Sequence, residues 1–280
     1  MRVSDPDIKD RNKLFAHLKA NKDLLMAQKC SAQVTSDNFD YGCLELRAKD
    51  LSFLGKSVTK SKVVKEDLGE DEIQVDAIAN MAGWCDSYMD VLIPDCWAKT
   101  IREKGASNKQ LIYHLKNHDY TTDAIIGGNV NMSSKWVDLS MFNIESDLTQ
   151  GQALIGSSTV RRKYDAKCYH LYSDDEVKQH SIGLRYIKIY LCMNSDEDEY
   201  QFEKENWDKY YKFIINKDKV DGRGYFWAVT EIKLLEYSAV LYGANELTTV
   251  QSTGKNGPSE DTQMEPLENT LDYASLAAQI

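Results

Sequence analysis

Hydrophobic positions along the chain change their period near residue 39. Residues 7–29, DIKDRNKLFAHLKANKDLLMAQK, set Ile8, Leu14, Phe15, Leu18, Leu24 and Leu25 at mostly helical spacings among many charges, which predicts an amphipathic N-terminal helix. His17 falls within it and reads as a surface or packing residue, because helix histidines rarely do chemistry. Beyond residue 39, short segments alternate apolar and polar positions as half-buried strands do: YGCLELRA, EIQVDAIAN, QLIYHLKNH, KWVDLSMFNI, SIGLRYIKIYL and FWAVTEIKLLEYSAVLY.

Between these strands, CWAKTIREKG at 96–105 and LTQGQALIGSSTVRRKY at 148–164 read as helices. A shorter helix is expected to open at SDDE, 173–176, where Ser173 would cap it and Glu176 would reach back in a capping box. The like-charged stretch NSDEDEYQFEKENWDKYY, 194–211, reads as a solvated insertion between strands, since such a block repels itself in a compact core. QSTGKNGPSEDTQMEP, from residue 251, is rich in turn formers and reads as a flexible linker, followed by LENTLDYASLAAQI, which suits a short partner-binding helix. The expected fold is α+β: a mostly antiparallel β-barrel or strongly curved sheet flanked by helices. Its expected divisions are an N-terminal helical extension with a leading strand at 1–65, a main domain at 66–250 and an acidic tail at 251–280.

Composition narrows the function. A formal net charge of -10 argues against sequence-independent binding to the nucleic-acid backbone, which needs clustered cations. Neither a run of roughly 20 apolar residues nor an apolar leader stands in the sequence, so a membrane role and export are not expected and the cytoplasm is the default. Cysteines 30, 43, 85, 96, 168 and 192 form no C-x-x-C pair, which predicts reduced, mostly buried thiols and no structural zinc. The G-x-S-x-G, Walker A, H-E-x-x-H and G-x-G-x-x-G patterns are all missing. A hydrolase assembled from separate strands remains, because catalytic triads are defined by geometry rather than by sequence order. Among the five histidines, His114 and His118 would share a face if YHLKNHD were extended, and His170 and His180 lie near the expected short helix. Periodicity does not choose among them.

Four blocks in order do choose. VDAIANMAGWCDSYMDVLIPDCWAKTI (75–101), LIYHLKNHDYT (111–121), HSIGLRYI (180–187) and IKLLEYSAVLYGANELTTV (232–250) together resemble the tailed-bacteriophage prohead maturation proteases, serine peptidases related in fold to the herpesvirus assemblins. The chain departs from the family pattern at Asp95-Cys96-Trp97, at Leu184 and at Gly243, which are packing and turn positions.

The resemblance implies Ser181 as nucleophile and His118 as its base. For the third member, a strand-borne Glu236 is favoured over Asp119, because neighbouring strand residues point to opposite faces. The same rule disfavours His180, next to Ser181, as the base. Glu236 could instead partner Arg185, Asp119 could be a turn former, and Gly183 could mark a bulge or leave room for a substrate backbone. Arg185, Arg161 and Arg162 read as surface ion-pair residues before oxyanion donors. The family further implies cleavage of scaffold or of the scaffold-like segment of the major capsid protein, self-cleavage, a homodimer, no cofactor or metal, and action inside the assembling prohead in the host cytoplasm. The alternative is a non-catalytic capsid or scaffold component that retains the fold. A cysteine hydrolase built on Cys192 or Cys168 has no histidine motif behind it.

Overall fold

A computed structural model describes residues 6–31, 34–35, 68–109, 111–243, 245 and 247–254. The strand expected at YGCLELRA, the linker from residue 255 and the C-terminal helix lie outside the described residues. The expected start of the linker, 251–254, is instead strand within Thr249–Gly254, paired antiparallel with Glu72–Met81.

Helix α1 (Arg11–Ala20) begins where the Asp10 carboxylate accepts the Lys13 amide, and ends at Asn21, whose N–H returns to the His17 carbonyl. Helix α2 (Lys22–Ser31) follows at once, so the single expected helix is two. Leu14, Phe15 and Leu18 are buried, each contributing about 1.5–3 kcal/mol of apolar transfer. They belong to the same core cluster as the sheet residues Leu184, Tyr186 and Phe226. Charge fixes the helices as well: Lys29 Nζ lies 2.5 Å from Asp90 Oδ1, with both side chains 2% exposed.

The described strands are β1 (Val34–Thr35), β2 (Glu72–Met81), β3 (Asp90–Leu92), β4 (Tyr113–Lys116), β5 (Ile125–Asp138), β6 (Gln150–Arg161), β7 (Gln179–Met193), β8 (Tyr225–Val240) and β9 (Thr249–Gly254). They form one sheet in the order β1-β7-β8-β4-β5-β6-β2-β9, with β3 beside β8. The sheet is mixed: β3 and β4 run parallel to β8, and the other pairs are antiparallel. Helices α3 (Ala98–Lys104), α4 (Ala166–Ser173), α5 (Gln201–Tyr210) and α6 (Lys217–Arg223) complete the described α-helices. Among the described residues, no helix is long and apolar enough to cross a membrane.

The α+β class holds, but the sheet is open and not a barrel. It curves until β2 comes against β7, yet among the described residues no backbone ladder closes that seam. Side chains of the segment after β8 bridge it instead. Asn245 donates to the Met81 carbonyl at 2.8 Å and to Asn80 at 3.1 Å, while Thr248 Oγ1 accepts the His180 N–H at 3.4 Å.

Three local expectations are corrected. The 148–164 helix is instead strand β6, where Gly156 lets the Tyr237 ring approach so closely that a Cβ would lie 2.9 Å from it, and β-branched Ile155, Thr159 and Val160 suit the pleat. Ser173 ends α4 and does not open a helix; the cap that starts α4 is Asp165, accepting from the Cys168 amide. The 194–211 stretch is no solvated insertion, for it contains α5, whose Trp207 and Tyr210 are buried and whose fully buried Glu203 is held by Lys19 and Lys22 at 2.7 and 2.6 Å. Two cations brought from α1 and α2 satisfy a carboxylate that sequence alone marks as repulsive.

Candidate active site

Strand β8 supplies the base of the site. Its residues Glu236 and Ser238 are two apart and therefore share a face. Antiparallel β7 sets Gly183 opposite Glu236 and Ser181 opposite Ser238. Directly opposed residues project to the same side with Cβ atoms roughly 5 Å apart, so Ser181, Gly183, Glu236 and Ser238 form one patch. Ser181 and Glu236 are each 1% exposed.

His118 arrives from the other side of β8. Strand β4 stops at Lys116, and both Asn117 and His118 take the left-handed conformation, with φ of 53°. Few non-glycine residues do so, and asparagine and histidine are among those that tolerate it. The Asn117 N–H to Ala239 carbonyl bond (3.0 Å) and the Asp119 N–H to Lys116 carbonyl bond (3.1 Å) hold the turn. This turn, rather than strand alternation, sends the His118 ring onto the Glu236 face. The expected common face for His114 and His118 is thereby overturned: His114 is fully buried against Ser158 and Tyr172.

The His118 backbone N–H donates to Ser238 Oγ at 3.2 Å, and His118 Nδ1 lies 2.6 Å from Glu236 Oε1. With Nδ1–H donating to the carboxylate, Nε2 of the neutral ring is left with its lone pair, the form a general base requires. Glu236 Oε2 accepts from Ser238 Oγ at 2.7 Å, and Tyr120 adds its hydroxyl to Oε1 at 3.3 Å. The carboxylate is fixed from three directions, and the imidazole ring with it.

Glu236 therefore partners His118 and not Arg185, which is exposed. Asp119 is exposed, and its Oδ1 accepts the Thr121 N–H at 3.0 Å, the geometry of a turn former. Arg161 pairs with Glu72 and Arg162 with Asp71, both away from this patch. Ser238 and Tyr120, both donating to Glu236, join the candidate site. Ser238 was legible, being two residues from Glu236 on a strand; nothing in the sequence singles out Tyr120.

Burial pushes the Cys168 thiol up to about 11 and that of Cys192 well above its ordinary value, the reverse of what a thiolate nucleophile needs. Among the described residues, no group of three or more His, Cys, Asp or Glu side chains is placed to hold a metal ion. Compared with known proteins, the chain matches no family model, no curated protein and no solved structure.

Proposed function

We propose that the chain is a serine endopeptidase of the prohead-maturation kind. The observation that carries this reading is the 2.6 Å contact of His118 Nδ1 with the buried Glu236 carboxylate, on the face where strand register also sets Ser181. In the reaction, His118 Nε2 takes the Ser181 hydroxyl proton as Oγ bonds to the scissile carbonyl carbon. The same proton passes to the departing amine when the tetrahedral species collapses to an acyl-enzyme. Water, deprotonated by His118, then releases the acid and restores the serine. Glu236 keeps the Nδ1–H tautomer and balances the imidazolium charge.

The four-block resemblance supplies the rest of the reading: an assemblin-like fold acting as a homodimer, with scaffold or the scaffold-like segment of the capsid protein as substrate, self-cleavage included, inside the assembling prohead. The burial of Ser181 favours one second reading, a capsid or scaffold-binding module that keeps the fold without catalysis. A fluorophosphonate probe separates the two. The peptidase reading expects labelling of the folded wild type that disappears in Ser181→Ala and His118→Ala; a folded wild type that takes no label sinks it in favour of the module.

A further inference from the structure

Strands β7, β8 and β4 lie side by side; β7 and β8 carry Ser181 and Glu236, and β4 leads into the turn that carries His118. On the opposite face the same strands carry His180, Tyr237 and His114, all fully buried. His114 stacks on Tyr237 with ring centroids 4.2 Å apart and planes 13° from parallel. Tyr172, buried on α4, inserts its hydroxyl between the two imidazoles, 3.1 Å from His114 Nε2 and 2.6 Å from His180 Nε2. Ser158 of β6 closes the chain at 2.7 Å from His114 Nδ1. The space is committed to this arrangement, since a Cβ at Gly127 would stand 2.8 Å from Ser158 Oγ and 2.9 Å from His114 Nδ1.

A phenol hydroxyl donates one hydrogen and accepts another, so one bridging Tyr172 satisfies one Nε2 as donor and the other as acceptor. This bond chain ties β4 to β7 across the back of β8. The tie matters because the β4–β8 ladder is only Tyr113–Lys116 long, and β4 is the strand from which the His118 turn departs. Four ladder residues leave a strand free to shift along its neighbour unless side chains pin it.

We propose that Tyr172 is a positioning residue for the candidate site: through His114 and His180 its hydroxyl locks β4 against β7 and so holds His118 in place beside Ser181 and Glu236. The inference rests on the reading of those three residues as the site. Its test has one readout that needs no catalysis, the downfield proton of His118 Nδ1–H bonded to Glu236, followed by NMR of the full-length protein and assigned by its loss in His118→Ala. The second readout is the rate of fluorophosphonate labelling.

In Tyr172→Phe, which removes one oxygen, the His118 resonance is expected to shift or broaden away, and labelling to slow by about tenfold or more, as a misplaced base requires. Ser158→Ala is expected to move both in the same direction by less, and it decides the matter if Tyr172→Phe does not fold. A folded variant with an unchanged His118 resonance overturns the inference, whatever its labelling. A shifted resonance in a protein whose wild type takes no label upholds the positioning role and rejects the peptidase.

Discussion

Gly183 faces Glu236 across the β7–β8 ladder, and a Cβ at Gly183 would overlap both the Glu236 carboxylate and the Tyr120 hydroxyl. The ladder also shifts register just after this glycine. Both sequence readings of Gly183 thus meet in one position, a bulge and a clearance, although the clearance serves the protein's own carboxylate.

Gly183→Ala therefore displaces Glu236 or Tyr120. The expected result is a stability loss of about 1–3 kcal/mol, the usual cost of overpacking, read from urea denaturation. Labelling of Ser181 falls with it. A variant of unchanged stability and labelling would mean that the carboxylate relaxes freely.

Glu236→Gln separates the two candidates for the third member. The amide keeps the shape but loses the charge that would stabilise an imidazolium, and on the proposed peptidase reading the expected drop in rate is on the order of 10³–10⁴, as for other orienting carboxylates. Asp119→Asn, altered at an exposed turn, is expected to stay within about twofold, as surface changes generally do. The reverse ranking would transfer the role to Asp119.

Stability should fall with acid through the buried histidines. Burial lowers His180 to about 3 and holds His114 well below the ordinary range, with His180 adding to the effect on His114. The groups around them are Tyr172 and Cys168 of α4, Tyr237 and Ser158, with Asp76 of β2 acting on Tyr237; burial raises both phenols. Above the unfolded value of about 6.5 both rings are neutral in either state and the full stability is present. Below it the unfolded chain binds more protons, so stability drains away as pH falls toward 3, by about 2–3 kcal/mol at pH 4.5 from His180 alone. Urea midpoints from pH 7.5 to 4.5 measure this, and a flat profile over that window would contradict neutral buried rings.

Lys29→Met takes away the ammonium that neutralises the buried Asp90 carboxylate, whose other oxygen accepts from the Tyr186 hydroxyl at 2.9 Å. It also removes a cation 5.5 Å from the Trp227 ring centroid. Breaking one side of a buried pair commonly costs about 3–5 kcal/mol. The loss is expected in urea denaturation and should shrink in Lys29→Met/Asp90→Asn, which removes the stranded charge.

Long, well-alternating segments were legible. EIQVDAIAN, SIGLRYIKIYL and FWAVTEIKLLEYSAVLY are strands β2, β7 and β8 within a few residues of their predicted bounds, because one buried face imposes the period of two. The same rule put His180 opposite Ser181's side. It failed at QGQALIGSSTVR, whose small residues serve neighbouring strands, and the charge-repulsion reading failed at the acidic stretch near Glu203, whose charge is met by lysines some 180 positions away.

By itself the sequence determined the α+β class, the principal strands in chain order and the alternating faces of β7; the residues to test came from the four-block resemblance. It did so because alternation is local, enforced by the backbone within each strand. Tertiary structure alone decided that the sheet stays open, that Asn117 and His118 turn left-handed off β4, and that Glu236, not Asp119, receives the imidazole. Those outcomes depend on partners distant in the chain, among them the Ala239 carbonyl, the Ser238 hydroxyl and Asn245 across the seam, and their energies exist only once the strands are already side by side.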